Sequence, residues 1–287
     1  MEKSFREHSK DLHEDLPAYG SISMDGKVLR GSFDHFEDRK AAQVVSALAA
    51  QSNLVLGHIW ITDEDGEKQH EIQAVQRLIK ELGGVGQLFT MDALHTQKTT
   101  ETVIESNNDL LVQLKRNQPS LHDAMVEHAQ KQSPDDTNRM HDQGKRNRIE
   151  TRDASTWSLS LENATESWHS HFKTLISIHR VVDRFDTRKK DWQTTQETAY
   201  YLCTRRINAK EANHVVRNHW GVENRIHPVR DTRMDEDASR IRKNPCIFGL
   251  LRSFSLNLMR FNNIGNISLA LYDNALSLDR VLDYQGI

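Results

Sequence analysis

The feature that most constrains the fold is a change in hydrophobic periodicity within the first 115 residues. Between residues 20 and 61 the first of three short runs alternates apolar with small or polar residues, and two further β-rich runs separated by the polar turn QSN predict a hairpin. Residues 71–82 place apolar side chains at helical spacing. Apolar runs at 86–94 and 109–115 then flank a second helical segment at 96–107. The order of three strands, helix, strand, helix and strand predicts an α/β fold with a mixed sheet flanked by helices.

The middle of the chain loses this regular pattern. Residues 116–205 are polar, especially around the run QSPDDTNRMHDQGKRNR. Two runs within this region, 174–182 and 198–204, are rich in apolar and β-branched residues and indicate strands. We therefore predict a β-containing insertion whose strands lie apart from the core sheet.

Helical periodicity returns in the last third of the chain. Asn208, with Glu211 three residues later, predicts a capped helix start, and Pro228 should end or kink that helix. Asn244 and Pro245 predict the start of another helix, as N-cap and first helical residue. The predicted segments are an N-terminal arm or short helix at 1–18, a first part of the core at 19–115, the insertion at 116–205 and a helical part of the core at 206–287.

Composition excludes several classes of protein. The chain has 287 residues, 37% of them apolar, and a net charge of −3, so it is neither a disordered chain nor a wholly basic nucleic-acid-coating protein. Its 2 cysteines exclude a disulfide framework and four-cysteine zinc sites. No apolar run reaches the roughly 18 residues of a membrane span, and the charged N-terminus does not resemble a secretory signal. We therefore expect a cytoplasmic location and no membrane partner.

Three acidic residues stand in unusual positions. Asp25 interrupts a strand-like run, Asp92 ends a predicted central strand, and Glu223 lies in the first late helix between His219 and His227. Each has an ordinary explanation: Asp25 and the following glycine could form a hairpin turn, Asp92 could cap a helix, and Glu223 could be solvated. The spacing of the two histidines around the glutamate does not match the His-Glu-x-x-His pattern of zinc proteases.

Taken together, the three acids indicate a metal-dependent reaction. Two carboxylates from one sheet and a third from a late helix can converge on Mg²⁺ or Mn²⁺, which prefer oxygen ligands. Two such ions can promote phosphodiester cleavage. Residues 205–252, which include Glu223, carry 11 basic and 6 acidic side chains, an excess of positive charge that would attract a polyanion.

Six segments in order also resemble the motifs of one family of bacterial proteins. They are MDGKVLRGS, FTMDALHTQ, LVQLKRNQPSL, RIETR, RNHWGVENRIH and MDEDASRIRK. The chain is similar in them to DDE transposases of insertion sequences, in particular the ISAs-type group with the H-repeat proteins of Rhs elements. The resemblance runs from about Ser21 to Arg260.

The resemblance implies an RNase H-like core with a β-strand insertion before the last catalytic helix. It implies Asp25, Asp92 and Glu223 as the catalytic acids, which would hold two Mg²⁺ or Mn²⁺ ions. The partner would be double-stranded DNA, both element ends and target, bound by a homodimer near the bacterial nucleoid. The residues that we expect to contact DNA are Lys115, Arg217, His219, Arg225 and Arg230.

Three interpretations of function stay open at this stage. The leading one is a DDE transposase that cleaves DNA and transfers strands. The second is a truncated, catalytically inactive remnant that at most binds DNA, which the small number of residues before Ser21 favours. The third is a stand-alone metal-dependent nuclease. The presence of all three acids favours an enzyme.

Overall fold

The computed structural model describes residues 1–14, 20–33, 41–61, 71–95, 97–144, 147–160 and 167–287, with the side chains of residues 13, 14, 167, 168 and 221–225 left out. The chain divides into two compact units, one of residues 1–89 and 218–287 and one of residues 90–217. The helices of the described residues are α1 (Glu2–Glu14), α2 (Glu71–Leu82), α3 (Thr100–Glu105), α4 (Pro119–Lys131), α5 (Ala209–Arg225), α6 (Pro245–Phe261), α7 (Ile267–Leu276) and α8 (Leu278–Leu282). The strands are β1 (Ser21–Val28), β2 (Gln43–Ala49), β3 (Leu54–Ile61), β4 (Leu88–Met91), β5 (Asp109–Leu114), β6 (Asp136–Gly144), β7 (Arg148–Ser158), β8 (Thr174–Asp186) and β9 (Asp191–Cys203).

The first unit contains the three antiparallel strands that the sequence predicts. Its strand order is β3-β2-β1-β4, with β1 antiparallel to β2 and β2 antiparallel to β3. Asp25 lies opposite Ser46 in the middle of β1, and Val45 lies opposite Ile59. The helix α2 has the predicted bounds, and α1 packs on β3 through the buried Phe5. The N-terminal segment is thus a helix joined to the core of this unit.

The helix α6 buries polar as well as apolar residues. It begins at Pro245 as predicted, but Asn244 adopts a left-handed conformation and its side chain makes no capping hydrogen bond. On the buried face, the Asn257 amide donates to the Val55 carbonyl and accepts from the Val55 backbone N–H, both at 2.8 Å. Ser253 bonds His58 Nε2 at 2.8 Å, and His58 Nδ1 bonds Ser46 Oγ at 2.9 Å. These hydrogen bonds offset the cost of burying polar groups.

The buried His58 should make the stability of the protein depend on pH. Burial, together with the positive charge of Arg230, holds the pKa of His58 well below the ordinary 6.5. The unfolded chain takes up a proton near pH 6.5 and the native state does not, so stability is lost as the pH falls below that value. Between pH 7 and pH 5 we expect a loss of about 2 kcal/mol from this residue. Urea unfolding at several pH values gives the free energy of unfolding as a function of pH. This free energy should depend less steeply on pH for His58→Gln, and an unchanged pH dependence would contradict the assignment.

The second unit contains an extended antiparallel sheet. Its order is β4-β5-β9-β8-β7-β6. The expectation that the insertion's strands lie apart from the core sheet is wrong, because β9 pairs with β5 from Leu111 opposite Cys203 to Leu114 opposite Tyr200. The buried, apolar end of β9 supplies the partner that the buried strand β5 needs.

Three elements of the second unit were not predicted. The helix α4 buries only Leu121 and Met125, so its apolar stripe is narrow. The strand β6 has no buried residue, and the first part of β7 is only partly buried. Such strands lack the alternating apolar residues by which a half-buried strand is recognised. The predicted fold class is nevertheless confirmed: a mixed α/β structure with helices around the sheet and a β-rich segment before the last helices.

No helix among the described residues combines the length and the apolar character that crossing a membrane would require.

Candidate functional site

Asp25 and His227 form the contact around which the candidate site is built. The His227 Nε2–H donates to Asp25 Oδ2 at 2.8 Å, and the side chains are 14% and 35% exposed respectively. Asp25 is therefore partly accessible, while the ring that holds it is largely covered. The alternative of a hairpin turn at Asp25 is excluded, because Asp25 and Gly26 pair with Ser46 and Val45 of β2.

The end of α5 places His227 beside Asp25. The helix stops at Arg225, and a π-helical turn covers Val229–Arg233 after Pro228. The prediction that Pro228 ends or kinks this helix is confirmed. His227 therefore lies beyond the end of α5, and the expectation that it lies in the same helix as His219 is wrong.

A second group of charges surrounds Lys27, two residues after Asp25 on the same face of β1. The Lys27 ammonium donates to Glu236 Oε2 at 2.7 Å, lies 3.8 Å from Asp237 Oδ1 and forms an ion pair with Asp231. Burial lowers the pKa of Lys27, and the hydrogen bond and charge of Glu236 partly oppose that effect. These contacts attach the chain after His227 to the strand that carries Asp25.

Arg230 and Glu236 form a buried ion pair beneath this group. Arg230 Nε and Nη2 donate to Glu236 Oε1 at 3.1 and 2.6 Å, and the side chains are 0% and 1% exposed. Burial raises the pKa of Glu236, but the charge of Arg230 and the bond from Lys27 bring it below its ordinary value. A buried and paired guanidinium cannot reach a DNA phosphate. The expected DNA contact by Arg230 is therefore wrong, and the residue has a structural role.

Asp92 follows β4 directly and is exposed. Its Oδ1 accepts from the Leu94 N–H at 2.7 Å, and its carbonyl accepts from the His95 N–H at 3.2 Å. Asp92 thus caps the 3-10 turn Ala93–His95, as the alternative reading of this residue proposed. The cap uses one carboxylate oxygen and leaves the other available for a ligand.

The remaining sequence-predicted residues have different surroundings. Lys115 is exposed directly after β5. Arg217 forms an ion pair with Asp142, and the His219 ring lies edge-on to Trp220 with centroids 6.2 Å apart. The backbones of Glu223 and Arg225 belong to α5, but their side chains lie outside the described part of the structure.

The acids fit a hard divalent cation by their chemistry. Asp25 and Asp92 each have one carboxylate oxygen without a hydrogen-bond partner among the described residues, and carboxylate oxygen suits Mg²⁺. The described side chains contain no group of three or more His, Cys, Asp or Glu residues that could hold a metal ion. Because this set lacks the Glu223 carboxylate, a site completed by Glu223 stays a prediction.

Sequence reasoning missed the roles of His227 and Lys27. The period of two along β1 would have placed Lys27 on the same face as Asp25, and the run MDED supplies acidic partners for it. His227 had no such signal, because its partner lies 202 residues earlier in the chain.

Comparison with known proteins gives a family match over most of the chain. A family model described as "Transposase DDE domain" matches residues 33–251. This region contains Asp92 and Glu223, whereas Asp25 lies before it. It covers well over half of the 287 residues.

Two curated relatives from Escherichia coli extend this similarity. "Putative transposase YncI" from strain O157:H7 is 30% identical over 268 residues, which is 91% of this chain and 66% of the relative. "H repeat-associated putative transposase YhhI" from strain K12 is 27% identical over 267 residues, covering 90% of this chain and 69% of the relative. The chain thus spans about two thirds of the length of these relatives.

A solved structure shows a weaker similarity. The piggyBac transposase synaptic complex with hairpin DNA aligns with a TM-score of 0.46 at 9% identity, over 88% of this chain and 49% of that one. Family membership rests on the sequence match and not on this alignment.

Proposed function

Because the chain belongs to the DDE transposase family, we propose that it cleaves DNA phosphodiesters and transfers DNA strands with Asp25, Asp92 and Glu223 as its catalytic acids. The observation that carries the proposal is the position of Asp25, together with its exposure and its hydrogen bond. This carboxylate stands in the middle of a strand, where an aspartate is unfavourable, yet it is partly exposed and held by His227. A residue that goes against the local propensity of its element is expected at a functional site.

In this proposal the chain's residues position charge around a scissile phosphate. His227 fixes one oxygen of Asp25, so the second oxygen has a defined direction. The turn Ala93–His95 does the same for Asp92. Two Mg²⁺ or Mn²⁺ ions, when bound, would stabilise charge on the attacked phosphate and make the attacking hydroxyl more acidic. We expect no covalent bond between the protein and DNA.

Double-stranded DNA, as element ends and as target, is the proposed substrate, and a homodimer assembled on it is the proposed active form. Lys115, Arg217, His219 and Arg225 are the contacts that the sequence suggests. Lys115 is exposed, which allows contact with a phosphate. Arg217 already faces Asp142, so DNA would have to compete with this carboxylate.

Metal dependence of the purified protein tests the proposed function. We expect cleavage of a duplex that carries the terminal sequences flanking the coding region when Mg²⁺ or Mn²⁺ is present, and none with EDTA. Crowded carboxylates repel one another without a cation, so the ion should also bind the native state preferentially. At a hundred times its dissociation constant it would add about 2.7 kcal/mol to the free energy of unfolding.

The same experiment separates the enzyme from the alternative of an inactive DNA-binding remnant. A remnant would bind the duplex but would leave it intact with either metal. A protein that neither binds nor cleaves the duplex would contradict the proposed function.

A further inference from the structure

Four arginines share one face of the sheet in the second unit. Arg148 and Arg152 lie on β7, and they pair directly with Arg184 and Arg180 of β8. Directly opposite residues of an antiparallel pair point to the same side of the sheet, and so do residues four apart on one strand. We name these four residues the arginine face.

Two carboxylates accept hydrogen bonds from the arginine face, and of the others on this side of the sheet, Asp142 pairs with Arg217 and Asp186 follows Arg184 by two residues. Glu150 accepts from Arg148 and Arg152 at 2.5 Å each and from Arg180 at 2.8 Å, and Glu197 accepts from Arg180 at 2.5 Å. Arg184 is exposed and has no carboxylate partner among the described residues. Because Arg184 also lies opposite Arg148, two like charges face each other, which destabilises a sheet unless an anion lies between them.

Two guanidinium nitrogens of this face lack hydrogen bonds. Arg148 Nε and Arg152 Nη1 are buried and have no hydrogen-bond partner among the described residues. Burial lowers the pKa of Arg152, Glu150 partly opposes this, and the nearby positive charges of Arg217 and Arg180 lower it further. The carboxylates of the face therefore leave Arg184 and these two nitrogens without partners among the described residues.

The accessible part of the face is an elongated groove. Arg148, Arg180 and Arg184 line a volume of about 340 Å³ together with polar side chains of β9. An adjoining volume of about 390 Å³ shares Arg184 with it and extends to Arg188 in the turn before β9. At about 3.3 Å per residue, the strand from Arg180 to Asp186 alone is about 20 Å long, which exceeds the size of a single phosphate ion.

We propose that the arginine face binds the backbone of duplex DNA through successive phosphates. Guanidinium groups suit this role because they bind phosphate oxygens bidentately and stay charged. The inference rests on the proposed function, since it takes the substrate to be DNA, but it places contacts in the β-rich segment and not in residues 205–252. Such contacts are independent of base sequence and position the duplex.

The test is a binding titration with a fluorescent 30-base-pair duplex of arbitrary sequence, at several salt concentrations and without metal. The double variant Arg148→Gln with Arg184→Gln should bind about a hundredfold more weakly at 0.1 M salt, about tenfold per lost phosphate contact. The slope of log affinity against log salt should become shallower by about two. Arg148→Lys with Arg184→Lys keeps the charge and should keep most of the slope.

The matched control removes the same charge elsewhere in the second unit. Arg139 lies opposite Asp153 on the other side of the sheet and is 73% exposed, and Lys131 lies on α4. Arg139→Gln with Lys131→Gln should bind the duplex almost as the wild type does. Circular dichroism of each variant shows whether the fold is kept.

Two outcomes would overturn the inference, and they differ in their meaning for the proposed function. Suppose that the arginine-face variant binds the duplex as tightly as the control variant does, while the wild type cleaves DNA with Mg²⁺. The inference then fails and the proposed function stands. If the wild type binds no duplex, both fail. Loss of binding by the arginine-face variant alone supports the inference.

Discussion

Replacing Glu223 with Gln should lower metal-dependent DNA cleavage by at least about a thousandfold and leave the fold and most DNA binding intact. Stabilisation of a transferred phosphate by bound metal amounts to several kcal/mol, and each 1.4 kcal/mol is about tenfold in rate. Glutamine keeps the size of the side chain but provides no negative charge for a cation. Binding should change little, because it depends on basic residues. The measurement is single-turnover cleavage of the terminal duplex by wild type and variant.

The control for this experiment lies in the same helix. Glu211 is in the first turn of α5, where it pairs with Arg205 at 2.5 Å, and Glu211→Gln makes the same chemical change away from the proposed site. It should cleave at close to the wild-type rate. A Glu223→Gln protein that cleaves as fast as the control would refute Glu223 as the third acid, whatever the other two acids do.

The first unit could be predicted from the sequence because its elements are locally consistent. Its strand runs are rich in apolar residues and two of them are separated by a short polar turn, and α2 is strongly amphipathic and is followed by glycines. In the second unit, Asn208 accepts the predicted bond from the Glu211 N–H at 2.8 Å. In each case neighbouring residues carry the signal. The polar strand β6 of the second unit gave no such signal, because a strand without buried apolar residues has no hydrophobic pattern to show.

The candidate site could likewise be predicted only in part from the sequence. Asp25 and Asp92 could be found because an acidic residue within or just after an apolar strand is unusual. The side-chain partners of β1 could not be found in this way, because His227 and Glu236 lie more than 200 residues later in the chain. Arg230 shows the risk of reasoning from charge alone: its basic neighbourhood suggested DNA contact, yet the side chain lies in the interior with Glu236.

Replacing Glu236 with Ala should lower the free energy of unfolding by about 3–5 kcal/mol, the usual cost of removing one partner of a buried ion pair. The change leaves the fully buried Arg230 without its carboxylate and removes the 2.7 Å bond from Lys27. Trp60 can report the transition by fluorescence, since both Trp60 and Arg230 lie close to Gly249. Urea unfolding of wild type and variant measures the difference.

A second replacement distinguishes loss of packing from loss of charge pairing. Arg230→Met combined with Glu236→Ala removes both buried charges, and it should recover part of the lost stability, since an apolar replacement of both partners is often neutral. Glu127→Gln on α4 breaks an exposed pair with Lys131 and should leave the unfolding curve unchanged. If Glu236→Ala proved as stable as the wild type, the pair would not hold the chain after His227 against β1. The contact that orients Asp25 would then need another explanation.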